Sequence, residues 1–193
     1  MYINIDGESI VRVPPSSLGS DYPKAVLDVT KQSLEGKLVD VSENQYNPRK
    51  CFVVSVIKIK MIGDGSIVHG DGGVYQSVKY EALAFLPELQ EIVDGIVVSV
   101  KEFGAFVRFG PMEGLLHISQ MMDDRIDIDL ANQRFVGKDT KKELKAGDRI
   151  RAKIVLLSLP SATLDDAKIG LNTKQPGLGK PEWIRMQNQA AGA

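Results

Sequence analysis

Three of the six phenylalanines fall within seven residues, Phe103, Phe106 and Phe109, in the stretch VKEFGAFVRFGPMEGLLHIS (100–119). The same stretch carries Arg108 and one of only two histidines, His117. Rings beside cations suit unpaired nucleobases, because aromatic faces stack on bases while Lys and Arg follow the phosphates. A period-two reading of Gly104–Phe109 sets Ala105, Val107 and Phe109 on one face and Phe106 with Arg108 on the other. The first set reads as core; burial alone does not ask for an outward Phe beside an Arg. Farther along, Arg149, Arg151 and Lys153 alternate with Ile150, Ala152 and Ile154, a row of cations with a core row behind it. On a strand next to Phe106 and Arg108, that row would neutralise the backbone of an RNA whose bases stack. The structural alternative is that Phe103 and Phe106 close a barrel end and His117 is a satisfied surface residue. One bulge would exchange the two faces near Phe103 and His117.

Bond-making chemistry has little to work with. His69, His117 and Cys51 form neither a zinc-ligand spacing nor a Cys–His pair. The GDG and GDGG pieces lack the strand-to-helix context of a dinucleotide fingerprint. Gly177-Leu178-Gly179-Lys180 runs into Pro181 rather than Ser or Thr, so it is no P-loop. The run DDRIDID lacks the glycine of a calcium loop. No active site, metal or cofactor is expected. Cys51, followed by Phe52, Val53 and Val54, reads as a small core residue.

These residues need strands to hold them. Five short strands, near 95–101, 104–109, 114–118, 149–157 and 168–173, suit a small closed barrel of the OB type. The charged segment 120–147 reads as a long loop between them. Ahead of the barrel lies an α+β unit. Tyr2–Val13 reads as a strand ended by Pro14-Pro15, and 21–35 as a helix with Tyr22, Val26, Val29 and Leu34 on one side. Ser20 or Asp21 caps that helix and Gly36 stops it. CFVVSVIKIKMI and VYQSVKYEALAF then form an antiparallel pair across a glycine-rich loop, GDGSIVHGDGG. Leu86-Pro87 and PELQEIVDG read as a boundary. The expected domains are 1–82, α+β; 83–186, an all-β five-stranded barrel; and 187–193, a flexible tail. The apolar residues of VYQSVKYEALAF and LPELQEIV form either an intersubunit sheet edge or part of a core.

Of 193 residues, Lys and Arg number 24 against 25 Asp and Glu, for a net charge of −1. The balance shifts along the chain: residues 134–153 hold eight basic and three acidic side chains, where a polyanion would bind. The start MYINIDGESI has no signal-peptide pattern, and no apolar run is long enough to span a membrane.

The stretch DGIVVSVKEFGAFVRFGPMEGLLHISQ resembles the S1-type OB domain of RNA-binding proteins in its Phe-Gly-Ala-Phe corner and Gly-Leu-x-His-x-Ser. Together with the Val-Arg-Val-Pro-Pro start, VHGDGGVYQSVKYEALAFLPELQEIVDG, SQMMDD and NTKQPGLGKPEWI, it is similar to the stalk-subunit family of archaeal RNA polymerase called E-prime. That family is similar to the seventh subunit of the eukaryotic enzyme. The resemblance implies an RNP-like tip domain followed by the S1-type barrel, and a cytoplasmic, non-catalytic component of a DNA-directed RNA polymerase. It implies a heterodimer with the smaller helical partner of the stalk, called F in that family. It also implies docking to the polymerase core, and a barrel that meets emerging single-stranded RNA. No membrane or small-molecule substrate is implied. The S1 pattern assigns RNA contact to Phe103, Phe106 and His117; strand parity adds Arg108, Arg149, Arg151 and Lys153. The resemblance puts the loop Gly70, Asp71, Gly72 and Gly73 at the polymerase-facing tip. Many S1 domains carry an Asp at the end of the fourth strand and a nearby Arg. Here Ser158 or Leu159 stands at the first place and Lys168 nearest the second, which points to binding without base preference. Residues 40–50 carry none of the motifs on which the resemblance rests. The competing readings are an S1-domain factor of RNA decay or translation, and a structural docking adapter.

Overall fold

A computed structural model describes residues 1–19, 21–41, 49–159 and 167–191. The chain divides into two compact units that part after Leu86. Strand β4 runs through the expected boundary at residue 83 and ends at Phe85.

The first unit is a four-stranded sheet in the order β1-β4-β3-β2, from β1 (Tyr2–Val13), β2 (Leu38–Val41), β3 (Arg49–Ile67) and β4 (Val74–Phe85). Helix α1 (Tyr22–Leu34) starts where Asp21 accepts a hydrogen bond from the Lys24 amide, which satisfies one orphan N–H of the first turn. Ser20 lies outside the described residues, as do 42–48 of the stretch 40–50. The helix buries Val26, Thr30 and Leu34, while Tyr22 and Val29 are half-buried. Thr30 escapes the apolar pattern because its hydroxyl is satisfied within the helix, donating 2.7 Å to the Val26 carbonyl. Val26 packs with Val11, Val13 and Val78 of the sheet. Leu34 joins a second cluster with Ile5, Cys51, Val53 and Ala82. Cys51 is fully buried and its thiol is pushed up to about 11 by that burial, so it is core.

Two expectations about this unit change. The glycine-rich loop is shorter than predicted, because β3 continues through GDGSI to Ile67 by shifting register between Ile62 and Ser66. VYQSVKYEALAF is β4, paired on both sides by β1 and β3, so it is not an edge that another protein chain could extend.

The second unit closes a five-stranded barrel in the order β11-β12-β7-β6-β5. Its strands are β5 (Ile92–Lys101), β6 (Gly104–Phe109), β7 (Met112–His117), β11 (Arg149–Ser158) and β12 (Lys168–Asn172). Neighbours are antiparallel except β12 and β7, whose parallel pairing closes the ring. Val97, Val107, Phe109, Leu116, Ile154 and Leu171 are buried, the inward halves of alternating strands. The corner before β6 needs Gly104, because a Cβ there would lie 2.4 Å from the Leu116 carbonyl oxygen.

Segment 120–147 is not a loop. It folds as a small antiparallel sheet of β8 (Ile126–Asp129), β9 (Arg134–Gly137) and β10 (Glu143–Lys145), in the order β10-β9-β8, with Phe135 and Leu144 buried. Helix α2 (Pro181–Ala191) occupies residues expected to be a frayed tail from 187. Gly177 and Gly179 turn the chain into it at φ of +82° and +101°. Gly179 also exchanges two backbone hydrogen bonds with Arg151, and Lys180 forms a largely buried 2.9 Å ion pair with Asp148. Trp183 is buried, with Lys142 5.6 Å from its ring centroid.

Candidate nucleic-acid interface

Strand parity in β6 holds: Ala105, Val107 and Phe109 are buried, Arg108 is exposed and Phe106 half-buried. The register carries the outward residues into one row across the barrel. Ser99 pairs with Phe106, Phe106 with Leu115, Leu115 with Gly170, and Gly170 with Leu156. Five strands thus contribute one residue each to a stripe about 19 Å long at the usual strand spacing, apolar from Phe106 to Leu156 with Ser99 at its end. Gly170 is its low point, since a Cβ there would come within 3.0 Å of the Leu156 Cβ. A groove of ≈ 1040 Å³ lies over this row.

Two rings stand at one end. Phe103 is 49% exposed and meets Phe106 edge-on, centroids 6.1 Å apart. The Phe103 carbonyl accepts from the Ile118 amide at 3.0 Å, and His117 pairs in register with Gly104, so the corner and the end of β7 are held together. His117 is exposed; its Nδ1 accepts from the Ser119 amide at 3.2 Å and lies 2.7 Å from the Ser119 hydroxyl. A nitrogen that accepts from an amide carries no proton, so in the neutral ring the proton sits on Nε2. The ring is therefore oriented before any ligand arrives.

The cations are arranged differently from the expectation. Strand β11 is flanked by β12 and β5, so β5 separates the Arg149, Arg151 and Lys153 row from Phe106 and Arg108. That intervening strand carries Asp94, which accepts from Arg151 at 2.8 and 3.1 Å and is itself held below the usual carboxylate range by that guanidinium. Arg108 donates twice to its cross-strand partner Glu113, at 3.0 and 2.7 Å. Lys153 is half-buried and reaches Gln175 at 3.5 Å. Arg149 is exposed and has no acidic partner among the described residues. Two of the eight cations of 134–153 are also neutralised at the small sheet, where Arg134 pairs with Asp129 and Glu143 and Lys138 with Asp127.

The glycine-rich turn of the first unit is organised by Asp71. Its carboxylate accepts from Arg12 Nε at 2.7 Å, the Gly73 amide at 3.0 Å and the Tyr75 hydroxyl at 2.8 Å. The Arg12 guanidinium holds that carboxyl well below the usual range. Asp71 is thereby occupied within its own unit. Gly70 sits at φ +86°, and Gly72 and Gly73 complete the turn.

Leu115, Gly170 and Leu156 escape sequence reasoning. They belong to three strands, and nothing local marks an outward Leu as part of a surface. Ser158, one of the two residues expected at the Asp place, does face Lys168 across β11 and β12. Residues 160–166, which complete that connection, lie outside the described residues.

Comparisons with known proteins bear on both units. Residues 86–157 match the S1 RNA binding domain, and residues 8–72 match the SHS2 domain found in the N terminus of Rpb7p/Rpc25p/MJ0397. The chain is similar to DNA-directed RNA polymerase subunit Rpo7 of Sulfolobus acidocaldarius, 33% identical over 97% of each chain. It is 34% identical to the Rpo7 of Saccharolobus shibatae, covering 95% of this chain and 97% of that one. A polyribonucleotide nucleotidyltransferase of a Bradyrhizobium species is 35% identical, but over 51% of this chain and 13% of its own length.

Proposed function

Because the chain belongs to the family of DNA-directed RNA polymerase subunit Rpo7, we propose that it is a non-catalytic stalk subunit whose barrel binds emerging single-stranded RNA. The observation that carries the reading is the register row Phe106–Leu115–Gly170–Leu156, an apolar saddle with Phe103 and His117 at its end. Unpaired bases stack on Phe106 and Phe103 or pack over Leu115 and Gly170, while the oriented His117 offers its Nε2 proton to a phosphate or a base edge. Arg108 meets the backbone beside the stack. With Ser158 and Lys168 in place of Asp and Arg, base-specific contacts are weak, and binding depends on stacking and charge.

The first unit, in this reading, docks on the polymerase core, with Gly70, Asp71, Gly72 and Gly73 at the tip. Asp71 acts there by shaping the turn rather than by direct contact. The smaller helical stalk protein, F, completes a heterodimer. A factor of RNA decay has less support: the similarity to a nucleotidyltransferase spans half of this chain, whereas Rpo7 relatives span nearly all of it.

The test is fluorescence anisotropy of a labelled unstructured RNA across salt, on the full chain with and without its helical stalk partner. Binding is expected, with log K falling against log salt by about 0.7 per phosphate neutralised. No binding in either sample would return the barrel to a docking role.

A further inference from the structure

The barrel has a second groove, of ≈ 770 Å³, on the side of β5 and β11. Ile96 and Val98 of β5, 46% and 40% exposed, lie along it. Pro181, Ile184 and Arg185 of α2 form a wall, and Arg149 and Arg151 contribute from β11. The wall is fixed in place by the Gly179–Arg151 backbone pair and the Lys180–Asp148 ion pair. Arg108 lines both this groove and the one over the apolar row.

Resting on the RNA-binding reading above, we propose that a bound RNA strand continues past Arg108 into this second groove, where Arg149, Arg151 and Arg185 neutralise its phosphates. Charge selects the occupant. Four arginines border the groove against one carboxylate, Asp94, which is already engaged with Arg151. Arg149 and Arg185 have no acidic partner among the described residues, and both are exposed. The aliphatic patch from Ile96, Val98 and Ile184 accepts ribose and base faces without reading sequence. The shared Arg108 makes the two grooves one path, which an isolated peptide site would not require. Two inter-strand steps separate β6 from β11, about 10 Å. A strand of about four nucleotides therefore fills the first groove, and a longer one is needed for both.

The consequence is a length dependence that the apolar row alone does not produce. The experiment compares labelled oligouridylates of about four and about twelve nucleotides by anisotropy on the full chain. Three proteins are used: wild type, the double variant Arg149→Ala with Arg185→Ala, and Phe106→Ala. Both substituted arginines are exposed, and circular dichroism checks each fold. The long RNA is expected to bind wild type more tightly than the short one, with a steeper salt dependence. The double variant removes two phosphate contacts. It should flatten the long-RNA slope by about 1.4 and cut the affinity lost between 50 and 200 mM salt about sevenfold. Its short-RNA affinity and salt slope should change less than those of the long RNA. Phe106→Ala should weaken both lengths.

Equal salt slopes for the two lengths, or an unchanged long-RNA slope in the double variant, would overturn the continuation and leave the groove to an acidic protein segment. If neither RNA binds wild type, the RNA-binding reading itself falls. That result differs from a short RNA that binds and a long one that adds nothing.

Discussion

Phe106→Ala separates stacking from structure most directly. Phe106 is half-buried on the outside of β6, touches Phe103 edge-on at 6.1 Å and sits in register between Ser99 and Leu115. Truncation removes one stacked base, worth about 1–3 kcal/mol, and so should weaken RNA binding roughly 5- to 150-fold. Fold stability should fall less. The lost edge-to-face contact is worth about 0.5–1.5 kcal/mol, and none of the buried barrel residues is altered. The assay is anisotropy with an unstructured RNA at fixed low salt, alongside thermal melts of each protein. Phe106→Trp keeps a broad aromatic face and should hold affinity near wild type, which excludes a loss caused by general disturbance of the strand. An Ala variant that melts as expected and binds within twofold of wild type would refute the stacking role and make the Phe103–Phe106 pair structural.

Glu113→Gln should raise affinity two- to fivefold at low salt, because it releases Arg108 from an exposed ion pair worth about 0.2–1 kcal/mol and removes a charge that repels phosphate. A decrease in anisotropy-measured affinity would show that Glu113 positions Arg108 for RNA instead. Gly179→Ala should destabilise the second unit by about 2 kcal/mol in urea melts, since φ is +101° and a Cβ would lie 2.6 Å from the Trp183 ring. A loss below half a kcal/mol would show that the turn relaxes. Asp124 accepts from the Thr140 amide and hydroxyl and the Asp139 amide, at 2.9, 2.7 and 3.2 Å, which hold its carboxyl well below the usual range. A depressed folded pKa stabilises above the unfolded value of about 3.9 and ceases to do so as pH falls through the folded one. Asp124→Asn should therefore melt below wild type at pH 7, with the gap narrowing on acidification toward pH 3. A gap independent of pH would assign the effect to shape rather than charge.

What the sequence shows depends on how far apart the partners lie. The β6 alternation is local, so Phe109 inside and Phe106 outside are readable from six residues. The barrel strands are likewise marked by β-branched runs and glycines. Helix α1 is legible except at Thr30, whose burial depends on a hydroxyl bond back to Val26. The small β8–β10 sheet is not legible, because its strands are three or four residues long and its charges look solvated until pairing of the strands brings Asp127 to Lys138 and sets Asp129 opposite Arg134. The separation of the cation row from β6 and its ion pair are hidden for a similar reason. Asp94 and Arg151 are 57 residues apart, and only closure of the barrel makes them neighbours. The apolar row is the same case in reverse: Leu115, Gly170 and Leu156 become one surface only through strand pairing.

The carboxylates already seated on Arg108 and Arg151 bear on time as well as affinity. On the proposed RNA-binding reading, an arriving phosphate would exchange with Glu113 or Asp94 rather than meet a bare cation, and a departing one would be replaced at once by a tethered competitor. Each contact then has a short lifetime and a low barrier to renewal. For a strand lengthening at its far end, that reading implies slippage in small steps, with residence set by the stacked rings and by the arginines that lack an internal rival.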